Sequence, residues 1–226
     1  MISQYVETKN RDKAQNRLKQ FEELTKGSDL KIGKIFFSLT EALFLKTSSR
    51  IIDRAKAQEK YLDLLLLINE YFPKSGRQLP LFIQNFSFQV IFHLVELYLD
   101  EFKITRDEMI IKRARQLIEK QYDELKTDGS YFRNVELSIL RAKLLAIDGE
   151  IDEALLTLQE AKNDAKNRGF SLQEKRIDSE IGKIKGEFEK WDTVIQSSSL
   201  KDRIDKLRVE EYLKETRELI QQHESW

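Results

Sequence analysis

The stretch VELSILRAKLLAIDGEIDEALLTLQEAKNDAK, residues 135–166, decides the fold because it holds a complete helix-turn-helix unit. In its first half the apolar residues recur at the spacing of one helical face: Leu137, Leu140, Leu144, Leu145 and Ile147. Asp148-Gly149 interrupts this run, and glycine readily adopts the left-handed backbone that ends a helix. The apolar period then resumes from Ile151. The stretch therefore predicts two antiparallel helices.

Seven residues of this unit stand at the spacings of a small, large, Gly, aromatic, Ala, aromatic, Ala signature: Ala142, Leu145, Gly149, Ile151, Ala154, Leu158 and Ala161. In these residues the unit resembles the tetratricopeptide repeat, a helix pair of ~34 residues. Two positions depart from the signature, since Ser138 replaces its usual tryptophan and Lys166 its closing proline. The resemblance implies an all-α protein whose antiparallel helix pairs stack in a right-handed α-solenoid, and a surface that binds proteins.

Composition supports an all-α chain and narrows the classes of function. Two Pro and eight Gly occur in 226 residues, whereas helix-forming residues abound. Thirty-nine basic residues balance thirty-nine acidic ones without long blocks of one sign, which argues against a nucleic-acid partner. Cysteine is absent, and no stretch reaches the ~18 apolar residues of a membrane span. We therefore expect a soluble cytoplasmic protein with no membrane association and no cofactor.

The other apolar periods divide the chain into about nine helices. We expect residues 1–28 to form an N-terminal helix that is either a cap or the remnant of a preceding repeat. Three helix pairs should then cover residues 29–168, and a two-helix cap should cover residues 170–226. The expected pairs are 29–72, 80–126 and 131–168. The residues expected at close helix contacts, besides those of the signature, are Ala57, Tyr61 and Ala114.

Two further stretches carry a looser resemblance. Residues 49–61 and 187–219 are similar to segments of tetratricopeptide proteins of archaea, which implies a repeat scaffold with a C-terminal cap. Phe86 to Ile91 contains aromatic and β-branched residues that favour a strand, but nothing nearby offers a partner strand. We therefore predict a helix there.

Polar residues on the first helix of each pair are the candidate partner-binding residues, because the resemblance places those helices on the concave face. They form three stripes: Lys34, Ser38 and Glu41; Asn85, Gln89, His93 and Glu96; and Glu136 and Lys143. The alternative is that these are ordinary solvated faces of amphipathic helices. Lys143 is expected to point away from the apolar core, so reversing its charge should leave folding nearly unchanged.

No catalytic or metal-binding pattern stands out. The two histidines, His93 and His223, lie far apart, whereas zinc needs three or four ligands at defined spacing. We therefore predict a non-enzymatic scaffold that binds a peptide or helix of a partner protein on its concave face. The alternative is homo-oligomeric assembly, or a regulatory module, acting through the amphipathic stretch 200–224, which could pair with a second copy.

Overall fold

The structure, a computed structural model, describes residues 11–26, 31–72, 81–125, 131–188 and 199–223. Ten α-helices and no strand occupy these ranges, so the all-α class is confirmed there. They are α1 (Arg11–Thr25), α2 (Lys31–Lys46), α3 (Ile51–Tyr71), α4 (Leu81–Thr105), α5 (Glu108–Leu125), α6 (Tyr131–Ile147), α7 (Ile151–Asn167), α8 (Ser171–Phe188), α9 (Leu200–Lys206) and α10 (Val209–His223). None of these helices is both long and apolar enough to cross a membrane.

The chain divides into two compact units, Met1–Leu97 and Tyr98–Trp226, and the division falls inside α4. In the first unit, α1 packs against α2, and α2 packs against α3. Its core includes the fully buried Ala57 and Tyr61 of α3. The first ten residues of the predicted N-terminal helix lie outside the described ranges.

Some apolar residues of the first unit lie at the surface. Leu24, Ile32 and Phe36, which fit the apolar periods of α1 and α2, are exposed. Phe36 nevertheless contacts the ring of Phe86 on α4 edge to face, with the ring centroids 4.7 Å apart. Phe86 to Ile91 is helical, as predicted, and α4 is buried without interruption from Val90 to Val95. A helix that is apolar on all sides is one enclosed by neighbours.

In the second unit, α6 is the central helix. It packs against α5 and α7, and α8, α9 and α10 also contact it. The predicted turn is present, because Gly149 has φ 87° and lies between α6 and α7. Ala142 and Ala154 are fully buried, as expected of small residues at close helix contacts. The helix-turn-helix prediction for residues 135–166 is therefore confirmed.

The C-terminal segment differs from the predicted single helix over 200–224. It breaks at Leu207 and Arg208, where Arg208 has φ 48°, and the break separates α9 from α10. α9 begins at a capping box in which Ser199 and Asp202 bond reciprocally to each other's backbone N–H. The extra break makes ten described helices instead of about nine, and three of them, α8 to α10, follow α7 instead of two.

Candidate functional site

The polar stripe of α6 is enclosed by the C-terminal helices. Glu136 is 0% exposed and Lys143 is 1% exposed, so neither side chain lies on an open groove. The expectation that Lys143 points to solvent is wrong, and a reversed charge there would face the buried Glu180. The physical reason is that helices from later in the chain supply charged partners for both residues.

Three polar groups on α8 and α10 contact the carboxylate of Glu136. The hydroxyl of Tyr212 lies 2.7 Å from Glu136 Oε2, and the Thr216 hydroxyl donates to the same oxygen at 3.0 Å. Arg176 Nη2 lies 3.1 Å from it. Burial nevertheless raises the pKa of Glu136, although Arg176 and the two hydroxyls favour the carboxylate. Burial and the adjacent Glu136 also hold the pKa of Tyr212 well above its usual range, so its hydroxyl stays protonated and donates.

Lys143 is held two helical turns further along α6. Its Nζ lies 2.5 Å from Glu180 Oε2 and donates to the backbone oxygen of Leu207 at 2.8 Å. Burial lowers the pKa of Lys143. Burial acts to raise the pKa of Glu180, but Lys143 and the Lys183 ammonium, 2.6 Å away, outweigh burial and lower it. Glu180 is therefore ionised at neutral pH, facing Lys143 as an anion.

We call these residues the C-terminal polar network: Glu136, Lys143, Arg176, Glu180, Tyr212 and Thr216. Glu136 pairs with Arg176 and Lys143 pairs with Glu180, in the same order along both helices, so α6 and α8 run in the same direction. Five of the six residues are 5% exposed or less, and the exception is Arg176, whose side chain is 22% exposed. An enclosed network of this kind holds helices in register and gives a substrate no access.

The second candidate cluster lies in the first unit and joins α2 to α4. Lys46 Nζ lies 2.6 Å from His93 Nδ1 and also pairs with Glu96. A lysine ammonium only donates, so Nδ1 must accept and the ring proton of His93 sits on Nε2. The His93 ring stacks on Tyr61, with centroids 5.4 Å apart. His93 is 6% exposed and is therefore a structural residue of this cluster.

The remaining predicted partner-binding residues are more accessible. Lys34 is exposed, and Ser38, Glu41, Asn85 and Gln89 are half-buried. Glu41 pairs with Lys60 of α3 at 2.8 Å. The structure therefore groups His93 and Glu96 around Lys46, which the sequence analysis did not single out, and leaves Lys34 at the surface. No local pattern could have found Lys46, because its partners lie about fifty residues further along the chain.

The residues predicted to pack helices are buried with two exceptions, Gly149 and Ala161, which are half-buried. Ala114, Leu145 and Leu158 are fully enclosed, like the alanines and Tyr61 described above. Ala161 is half-buried and lies on the wall of a cavity of about 230 Å³. Ser138, at the position where the repeat signature usually has tryptophan, lines the same cavity, and its hydroxyl donates to the backbone oxygen of Asn134 at 2.7 Å.

Neither metal binding nor similarity to known proteins assigns a function to these clusters. Within the described parts of the chain, no group of three or more His, Asp or Glu could hold a metal ion. No protein-family model, no curated protein and no solved structure matches the chain. The contacts of the two clusters therefore carry the functional argument.

Proposed function

We propose that this chain is a non-enzymatic protein–protein interaction module, built as a tetratricopeptide-like right-handed α-solenoid, that binds a peptide or helix of a partner protein on the face of its first helices. One observation supports it above the others. α6, the first helix of the best-defined pair, already holds an amphipathic helix, α10, on its polar face. A surface that takes up a helix of the same chain has the chemistry to take up a helix of another protein.

Within the first unit, the first helices present accessible polar side chains. Lys34 is exposed on α2, Ser38 and Glu41 follow it, and Gln89 lies half-buried on α4. These side chains carry both signs of charge and neutral hydrogen-bonding groups, so no strongly charged ligand is favoured. A peptide with apolar anchors and both signs of charge fits such a surface better.

The experiment compares two charge reversals on exposed helical lysines. The partner is first captured from native lysate on the wild-type chain, and its affinity is then measured for Lys34→Glu, on a first helix, and for Lys112→Glu, on the second helix α5. We expect the first change to weaken binding at least tenfold and the second to leave it unchanged, with equal melting temperatures for both variants. If only Lys112→Glu weakens binding, the partner sits on the second helices and the proposed face is wrong.

The assembly alternative has less support. Three of the apolar positions of the stretch 200–224, Ile204, Leu207 and Leu213, are buried within the chain itself. Pairing between copies would therefore require α9 and α10 to leave their own unit first. Light scattering over a wide range of protein concentration tests this, since a mass that doubles with concentration would favour assembly.

A further inference from the structure

α10 has the residue pattern of a helix bound in a groove. Its residues enclosed by the rest of the unit are Val209, Tyr212, Leu213 and Thr216, all at 3% exposure or less. They stand at i, i+3, i+4 and i+7, which is the anchor spacing of an amphipathic helix recognised by a groove. The positions between them are charged and exposed: Glu210, Glu211, Lys214 and Glu215. α10 thus uses one stripe for docking and presents the other to solvent.

The face that receives α10 is specific in its chemistry. Glu136 accepts from two hydroxyls placed one helical turn apart, Tyr212 and Thr216. Lys143 lies 5.3 Å from the centroid of the Tyr212 ring, within the range of a cation–π contact. A helix with apolar residues alone would leave the Glu136 carboxylate buried without these donors, at a free-energy cost. The face therefore selects a helix with hydroxyls at the second and fourth anchors.

We propose that α10 is a built-in competitor for a partner-binding face on α6, and that the partner presents an amphipathic helix with an apolar residue, Tyr, Leu and Ser or Thr at i, i+3, i+4 and i+7. This inference rests on the proposed function and names the partner's chemistry and its regulation. In the closed chain α10 fills the face. When α10 leaves, the same hydroxyl-to-Glu136 and Tyr-to-Lys143 contacts re-form with the partner's helix.

Two features of the segment make exchange feasible. α9 has only seven residues, and Arg208 after it holds a left-handed backbone that an L residue adopts at a free-energy cost. Both buried ion pairs join α6 to α8, whereas α10 contributes hydroxyl donors to Glu136 together with its apolar anchors. The departure of α10 therefore breaks hydrogen bonds and apolar contacts but no buried ion pair.

The test uses the full chain and a synthetic peptide of residues 199–223, labelled with a fluorophore. Tyr212→Phe with Thr216→Val in the chain removes both hydroxyl donors and keeps the shape of the anchors. Lys214→Gln, an exposed change on the same helix, is the control. We expect the native peptide to bind the Tyr212→Phe, Thr216→Val chain at least tenfold more tightly than the wild-type chain. The control chain should bind it as weakly as wild type.

The specificity of the face is tested with a second peptide that carries the same two substitutions. It should bind the opened chain at least tenfold more weakly than the native peptide does. Amide hydrogen exchange of residues 209–223 reports whether α10 has opened, and we expect faster exchange in the doubly substituted chain only. Equal binding of both peptides overturns the proposal, as does an opened chain that binds neither.

An α10 that stays as protected in the doubly substituted chain as in wild type also overturns it, because the hydroxyls would then not hold the helix. These failures leave the wider proposal standing if Lys34→Glu still weakens capture of a partner. If neither Lys34→Glu nor opening of α10 alters partner affinity, the interaction role itself is wrong.

Discussion

Replacing Lys143 with Met tests whether the C-terminal polar network is as enclosed as described. The substitution keeps an unbranched side chain as far as the ε position and removes the ammonium. Glu180 then loses a partner at 2.5 Å in a site where the two side chains are 1% and 7% exposed. The Leu207 carbonyl loses its donor as well. Removing one member of a buried ion pair costs ~3–5 kcal/mol, because the remaining charge stays buried.

The expected cost of Lys143→Met lies at the lower end of this ~3–5 kcal/mol range. Lys183 lies 2.6 Å from Glu180 and stays in place, so the carboxylate keeps one cation. A loss of ~3 kcal/mol lowers the melting temperature of a chain of this size by about 6–12 °C. Chemical denaturation followed by far-UV circular dichroism measures this loss of stability, because the described ranges are almost entirely helical.

Lys183→Met is the matched control. It removes a cation from the same carboxylate, but Lys183 is 41% exposed, and such partly exposed pairs contribute ~1 kcal/mol or less. Adding Glu180→Gln to Lys143→Met should recover most of the loss, because no buried charge then remains unpaired there. Equal destabilisation of the second unit by Lys143→Met and Lys183→Met would contradict the burial of Lys143, since Lys143 would then be solvated.

Three further predictions concern the same unit. Ala154→Leu should lower the free energy of unfolding by ~1–3 kcal/mol, measured by denaturant titration, because Ala154 is fully buried; an unchanged midpoint would contradict the close contact. Gly149→Ala should destabilise by ~1–2 kcal/mol in the same titration, because φ is 87° there, whereas Gly182→Ala, inside α8 with open space around it, should not. Burial raises the folded pKa of Glu136, so ionisation there opposes folding and the penalty is relieved as pH falls through that pKa. The wild type should therefore gain stability relative to Glu136→Gln as pH falls through the raised folded-state pKa toward the ordinary glutamate range, and a constant difference would contradict it.

The helix-turn-helix unit could be predicted because its signals are local. The apolar period identifies α6 and α7, and Gly149 ends the first of them with a backbone conformation that suits glycine. The break at Arg208 could not be predicted, since arginine has no preference for a left-handed backbone. A long-range contact stabilises the chain at this break. The Leu207 carbonyl next to it accepts a hydrogen bond from Lys143, sixty-four residues away.

The candidate site was harder to predict than the fold. Lysine and glutamate are almost never fully buried unless paired, so an isolated helix with Glu136 and Lys143 on one face indicates a solvated stripe. The partners that reverse this expectation, Arg176 and Glu180, lie on another helix about forty residues later. The sequence does contain a matching pattern, with acid before base on α6 and base before acid on α8. Such a pattern identifies a pair of helices only once their packing is known.

The C-terminal polar network links the polar face of α6 to the amphipathic pattern of α10, because Tyr212 and Thr216 both contact Glu136. An apolar interface of α6 with α8 and α10 would give comparable or greater stability, because replacing buried charge pairs with apolar residues is often neutral or stabilising. What the charges and hydroxyls add is selection, since a helix without donors opposite Glu136 would leave its buried carboxylate with Arg176 alone and without two hydrogen bonds. Selection of this kind has its greatest use where more than one helix can compete for a face. A network that holds α10 in one register therefore accords with a face that also distinguishes between α10 and a partner's helix.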